Sequence, residues 1–206
     1  MIALIDYGAG NLTSVRKAFA ALDADVVVPG SADQLAHATG IVVPGVGHYD
    51  RTRAIGQVWR DAMRAAVDRG AALLGICLGM QWLFEGSEEA PHLPGLGVFR
   101  GTCVRLSPTS PTSPNLKVPH VGWNSLEVPR PSHIMNDVVA GAQVYFTHSF
   151  AAPVVPQSAA TTTYGMAFTS AVEQGRIAGV QFHPEKSGDV GLQILRNWLA
   201  VHSSVS

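Results

Sequence analysis

Ala71-Ala72-Leu73-Leu74-Gly75-Ile76-Cys77-Leu78-Gly79-Met80-Gln81-Trp82-Leu83-Phe84 joins an apolar run to a helix-like stretch through a pentapeptide with cysteine at its centre. A G-x-nucleophile-x-G elbow between strand and helix needs small neighbours, because the turn forces the nucleophile into a strained backbone conformation where bulky flanks clash. Such a turn is expected to leave the thiol exposed. A following helix points its free N–H groups back at the sulfur, a setting that suits an anionic nucleophile. Glycines around a single cysteine also make a plain tight turn beside a core residue. The pentapeptide therefore needs a base before it means catalysis.

Working outward, Ile2 to Ile5, Val26 to Val28, Ile41 to Val43 and Ala71 to Ile76 are short β-like runs. A helical pattern at Leu12, Val15, Phe19 and Leu22, capped by Asn11 or Thr13, lies between the first two. That alternation is the βαβ rhythm of a parallel sheet with helices on both faces. From Leu96 onward the runs crowd together: Gly97 to Leu106, Val118 to Val128, Gln143 to Phe146, Thr161 to Phe168 and Arg176 to Phe182. This half predicts mixed or antiparallel sheet. Ser107-Pro108-Thr109-Ser110-Pro111-Thr112-Ser113-Pro114-Asn115 cannot build a core and reads as a mobile surface loop. Val190, Ile194, Leu195, Trp198 and Leu199 mark one face of a closing helix, capped in front by Ser187 or Asp189. No repeat or internal boundary interrupts residues 1–206, which read as one domain.

Composition narrows the function classes. A formal charge of −1 with no Lys/Arg cluster argues against a nucleic-acid ligand, and no apolar run is long enough to span a bilayer. The opening Met1 to Asp6 has no basic region before its apolar residues, so a cytoplasmic, reducing setting with Cys77 and Cys103 both free is expected. Charged residues make up only 14% of the chain, below the roughly 25% typical of soluble domains; either a partner covers part of the surface or Ala, Ser and Thr do. Asp6-Tyr7-Gly8-Ala9-Gly10-Asn11 fails the dinucleotide fingerprint because its third glycine would fall at Thr13. No cofactor is expected, and no metal-ligand spacing surrounds either cysteine.

The base is far away in sequence. Val180-Gln181-Phe182-His183-Pro184-Glu185-Lys186-Ser187 places a histidine and a carboxylate two residues apart behind a strand. Read alone, this is a capped strand with a solvated Glu. Read with the elbow, Cys77, His183 and Glu185 form a triad: nucleophile, base, and the carboxylate that fixes the imidazole tautomer. The Leu78 N–H is one donor for an oxyanion. Pro44-Gly45-Val46-Gly47, after the strand Ile41 to Val43, can present the backbone N–H groups of Val46 and Gly47 as others. Glycines flank a single side chain there, so a peptide of this loop can turn with little steric resistance.

These residues resemble the class I glutamine amidotransferases. The match runs through Asp6 to Leu12, Pro44 to Gly47, Gly75 to Gln81, Pro119-His120-Val121-Gly122-Trp123-Asn124, Tyr145-Phe146-Thr147-His148-Ser149 and Gln181 to Ser187. The resemblance implies a flavodoxin-like α/β fold and a Cys77 that attacks the side-chain amide of glutamine, releasing ammonia through a glutamyl thioester. His183 would move the proton and Glu185 would orient His183. Gly45, Gly47, Gln81, Ser149 and Phe150 would hold glutamine. Two segments, the opening D-Y-G-x-G-N-L and P-H-x-G-W-N, narrow the likeness to glutaminase subunits that feed a (β/α)8-barrel cyclase of histidine biosynthesis, as heterodimers. Asn11, Trp123 and Lys186 match residues that face the barrel. The oxyanion peptide of such subunits turns its N–H toward substrate only when the partner holds its ligand. The chain departs from the family at Phe150, where Tyr is frequent, and at Thr147, where Val is common. The competing readings are another class I glutaminase, a fold-retaining binding protein without activity, and a serine-hydrolase-like esterase.

Overall fold

The computed structural model describes residues 1–107, 116–128 and 130–203. The chain alternates β1 (Ile2–Leu4), α1 (Leu12–Ala20), β2 (Val26–Val27), β3 (Gly40–Val43), α2 (Gln57–Asp68), β4 (Ala72–Ile76) and α3 (Leu78–Leu83). It continues through β5 (Gly86–Ser87), β6 (Thr102–Arg105), β7 (His120–Ser125), β8 (Gln143–His148), β9 (Phe150–Ala151), β10 (Ser158–Tyr164), β11 (Met166–Gln174) and β12 (Ile177–Val180), and closes with α4 (Gly188–Ser203). The main sheet has seven strands in the order β10-β11-β12-β4-β3-β1-β2. Pairings from β12 to β2 are parallel, whereas β10–β11 and β11–β12 are antiparallel. This is the mostly parallel α/β sheet with a mixed second half that the sequence predicts.

Alternation along the strands builds two cores, one per face. Leu4, Val42, Leu74 and Ile76 face α1 and α4, where they meet Phe19, Ile194, Leu195 and Trp198. Ala3, Ile5, Ile41, Val43 and Leu73 point the other way, to Met63 and Ala66 of α2 and to α3. Asn11 caps α1 by accepting from the Ser14 N–H at 3.2 Å. Cys103 is a fully buried hydrophobe on β6.

Three sequence readings need correction. Thr161 to Phe168 is a hairpin, not one run: Gly165 adopts φ +73° between β10 and β11. Gly97 to Leu106 forms a strand only from Thr102, and the helix α2, whose Trp59, Ala62, Met63, Ala66 and Val67 recur at helical spacing on its core face, is not among the elements read from the sequence. Ser187 does not cap the last helix with its side chain; its hydroxyl donates to the His183 carbonyl at 2.6 Å and accepts from the Tyr145 N–H at 3.0 Å. Residues 108–115 of the Ser/Pro-rich loop lie outside the described residues.

Trp198 stands edge-on to Phe19, centroids 5.8 Å apart, and is 1% exposed. Replacing it with Ala is expected to cost about 3–5 kcal/mol of stability, read as a lowered denaturation midpoint in urea.

Candidate active site

The loops after three adjacent parallel strands converge at their carboxyl ends, the place where open α/β sheets carry their sites. Cys77 follows β4, Pro44-Gly45-Val46-Gly47 follows β3, and His183 follows β12, whose Val180 is in register with Ile76. The Cys77 N–H donates to the Val180 carbonyl at 2.7 Å, tying the elbow to the histidine's strand. Cys77 itself has φ +53° and ψ −107°, a conformation that costs a non-glycine residue on the order of 1–3 kcal/mol. The flanking glycines are steric necessities. A β-carbon on Gly79 would collide with the Val43 carbonyl, and one on Gly75 would come within 2.6 Å of the Gly79 oxygen.

His183 is 2% exposed, and its Nδ1 meets Glu185 Oε1 at 2.8 Å with both side chains buried. The sequence-predicted histidine and carboxylate are therefore joined. Burial alone would lower the His183 value, but the charge of the neighbouring Cys77 and the hydrogen bonding and charge of Glu185 outweigh it, and His183 is pushed up to about 10. Nε2, the nitrogen that a base would use, is buried without a directed hydrogen bond. The Cys77 sulfur lies 3.9 Å from the Thr147 carbonyl, a long contact, and receives the Gln181 amide N–H at 3.7 Å.

Two expectations change here. Cys77 is 4% exposed, because Thr147 and His148 at the end of β8, distant in sequence, close over it. It reaches solvent through a cavity of about 300 Å³ lined by Gly47, Cys77, Leu78, Gln81, Ser149 and Phe150, together with Glu89, Pro119, Thr147 and His148. The Leu78 N–H is not free: it donates to the Gly45 carbonyl at 3.3 Å. In this structure a carbonyl oxygen occupies the donor that an oxyanion would need. Of the two other expected donors, Val46 is exposed and outside the cavity wall, whereas Gly47 lines the cavity.

Gln81 donates to the Phe150 carbonyl at 2.8 Å and to Gln181 Oε1 at 3.1 Å, which fixes the Gln181 amide with its N–H groups toward sulfur. Gln181, fully buried, is a site residue that sequence reading passed over; only its place two residues before His183 hinted at it. Glu89 is another, and it is the only carboxylate among the cavity-lining residues. His148 Nδ1 lies 2.9 Å from the Phe150 carbonyl, which can only accept, so that nitrogen carries the proton; His148 Nε2 then accepts from His120 Nδ1 at 3.1 Å. Burial holds His148 down to about 3 and His120 down to about 4, and both rings are neutral. Trp123 and Lys186 meet through Tyr145: the indole is edge-on to it at 6.1 Å, and the Lys186 Nζ sits 5.8 Å from its ring centroid. Asn11 lies exposed at the start of α1, which packs against the turn Pro184–Lys186. Among the described residues no cluster of three His, Cys, Asp or Glu could hold a metal, and no helix is long and apolar enough to cross a membrane.

A buried thiol, an imidazole held by a carboxylate and a small polar cavity suit acyl transfer from an amide. Comparison with known proteins points the same way. The family model for class-I glutamine amidotransferases matches residues 3–201. Imidazole glycerol phosphate synthase subunit HisH of Geobacillus kaustophilus is 43% identical over 98% of this chain and 97% of its own. The subunits of the same name from Deinococcus radiodurans and Moorella thermoacetica are 43% and 40% identical, each over 96% of this chain and 92% and 93% of their own. A solved glutamine amidotransferase superposes with a TM-score of 0.75 at 19% identity, covering 98% of this chain and 99% of that one. PurLQS of Thermotoga maritima does so at 0.73 and 17%, covering 97% of both chains. These two likenesses establish the flavodoxin-like amidotransferase fold.

The raised His183 value has a consequence for stability. A group whose folded value lies above its ordinary 6.5 contributes fully below that pH and loses its contribution as pH climbs toward about 10. Denaturant unfolding is expected to show stability falling across that window. Cys77→Ala, which removes the neighbouring charge, should flatten part of the fall.

Proposed function

The chain belongs to the class I glutamine amidotransferases, and from that premise we propose that it works as the glutaminase of an imidazole glycerol phosphate synthase, one amidotransferase domain over residues 1–206. It hydrolyses glutamine to glutamate and ammonia. The ammonia passes to a (β/α)8-barrel cyclase, which makes imidazole glycerol phosphate and aminoimidazole carboxamide ribotide in histidine biosynthesis. Near-full-length identity to subunits of that synthase supports this reading. For the chemistry, the observation that carries it is the 2.8 Å His183–Glu185 pair beside Cys77 at a cavity.

In the proposed reaction Cys77 sulfur attacks the glutamine amide carbon, and the imidazolium of His183 protonates the departing nitrogen. The bond to ammonia breaks and a thioester remains. His183 then takes a proton from water, whose oxygen attacks the thioester carbon, and glutamate leaves as the sulfur is regenerated. Glu185 holds the ring in the tautomer that leaves Nε2 for this traffic. Glu89 supplies the negative charge that the α-ammonium group of glutamine needs. Gln81, Ser149, Phe150, Gly45 and Gly47 shape the rest of the glutamine site, while Asn11, Trp123 and Lys186 face the cyclase.

The oxyanion pocket is closed in this conformation, since the Gly45 carbonyl takes the Leu78 N–H. Rotation of the Gly45–Val46 peptide removes that oxygen and turns the Val46 N–H inward. One missing donor costs about 3 kcal/mol of transition-state stabilisation, or about a hundred-fold in rate, so the cyclase acts as an activator by favouring the rotated peptide. A cytoplasmic location fits two unpaired, buried thiols, Cys77 and Cys103.

The test is glutamate release by the purified chain, alone and with the barrel cyclase carrying its ribotide ligand. Strong stimulation is expected, abolished in Cys77→Ala and reduced roughly 10²-fold or more in kcat, with glutamine KM little changed, in Glu185→Gln. Turnover that needs Cys77 but ignores the cyclase would overturn the pathway. No turnover under any condition would favour a binding protein that keeps the fold.

A further inference from the structure

Tyr7 belongs to the opening Asp6-Tyr7-Gly8-Ala9-Gly10-Asn11-Leu12 stretch, and the reaction written above makes no use of it. The residue is 8% exposed, and its hydroxyl is buried with no hydrogen-bond partner among the described residues. Buried hydroxyls in folded proteins are nearly always paired, so an orphan at this position asks for an explanation. The hydroxyl oxygen lies directly against Gly45: a β-carbon there would collide with it, and also with Leu78. Gly45 is the residue whose carbonyl blocks the Leu78 N–H. Burial, and after it the charge of Cys77, raises the Tyr7 hydroxyl far above its ordinary value, so it stays protonated and can donate.

The Tyr7 ring is buried in the core on the α2 face of the sheet, and the surrounding loops hold the backbone beside it. The Gly8 N–H donates to Asp6 Oδ1 at 2.9 Å, and Arg51 Nη1 donates to the Gly8 carbonyl at 2.9 Å. Gly10 packs on the backbone of Pro44 and Gly45, so closely that a β-carbon on it would lie 3.4 Å from Gly45 Cα. Tyr7 is thereby fixed relative to the one loop of the site that has to change conformation.

We propose that the Tyr7 hydroxyl donates to the Gly45 carbonyl once the Gly45–Val46 peptide has rotated, which makes Tyr7 a positioning residue that holds the oxyanion pocket open. The proposal rests on the peptide rotation argued above. In the closed form Leu78 satisfies the Gly45 oxygen and Tyr7 has no partner. In the rotated form without Tyr7, the Gly45 oxygen would be the buried orphan, and the rotation would be opposed by the loss of a hydrogen bond. With Tyr7, one bond replaces another. The rotated form then leaves the N–H groups of Leu78 and Val46 to the substrate oxyanion.

Tyr7→Phe deletes one oxygen and keeps the ring. Glutamate release with the liganded cyclase is expected to fall about ten-fold in kcat, with glutamine KM unchanged. The thermal midpoint of the isolated chain should stay the same or rise, because the lost hydroxyl had no partner in the closed form. A kcat equal to that of the wild type would overturn the proposal. So would a kcat loss accompanied by a midpoint lowered by several degrees, which marks a packing role. Intact glutamate release with reduced transfer of ammonia to the cyclase product would overturn it too, by placing Tyr7 on the ammonia route. If the wild-type chain itself shows no cyclase-stimulated release, the failure lies in the underlying reading and takes the proposal with it.

Discussion

The backbone of Cys77, held at φ +53°, is the constraint on which the rest of the site depends. A single residue can stay in that conformation only where its surroundings fix it from several sides. Here β4 lies between β3 and β12, so the elbow touches both neighbours. Gly79 presses on the last carbonyl of β3, and the Cys77 N–H is held by the last residue of β12. The same strand order that fixes the strain also delivers the Gly45 loop and His183 to the sulfur. Fold and candidate site are one arrangement, because any sheet order that separated these three strands would relax the elbow and scatter Cys77, the Gly45 loop and His183 together.

Over this elbow lies the β7–β8 hairpin, whose two faces differ in chemistry. Its inner face pairs His120 with His148 and Gly122 with Phe146, and its outer face pairs Val121 with Thr147 and Trp123 with Tyr145. The inner residues are bonded toward the cavity: Asn124 lies 3.4 Å from His120, His120 reaches His148, and His148 donates to the Phe150 carbonyl. That carbonyl also accepts from Gln81, which reaches Gln181 and, through it, Cys77. The outer residues stay accessible, with Trp123 56% and Val121 57% exposed. A surface suited to a partner is thus one strand thickness from a polar network ending at the sulfur. Ser187 fastens the hairpin by bonding both Tyr145 and His183.

Much of this was legible in the sequence where the signal is local. The elbow's glycines report a steric demand made by residues within a few positions, and His183 and Glu185 form their pair across a single proline. The strand rhythm of the first half follows from alternating burial on two faces. What escaped reading depends on neighbours far away in the chain. Cys77 is buried by Thr147 and His148, seventy residues on, and no pattern around Cys77 could report that. Leu78 is blocked by Gly45 for the same reason. Gln181 and Glu89 acquire meaning only from what they face. Gly165 did carry a turn signal, but the apolar residues on both sides of it read as one continuous run.

On the proposed reading, activation acts at one place in the closed conformation. The His183–Glu185 pair is already formed at 2.8 Å, so little would be gained by reorganising the base. The cavity proposed for glutamine is open, and the Gln81–Phe150 hydrogen bond at its wall is made. The one component out of place is the oxyanion donor set, occupied by a carbonyl of the neighbouring loop. A tetrahedral oxyanion exists only in the transition state and the intermediates around it, so a defect confined to its donors leaves glutamine binding nearly untouched and suppresses turnover. Most of the residues proposed to hold glutamine, Gln81, Ser149 and Phe150, lie on α3 and just after β8, while the donor loop after β3 packs against the Gly8–Asn11 loop, whose exposed end belongs to the proposed partner face. A partner pressing on that face therefore has a short mechanical route to the donors.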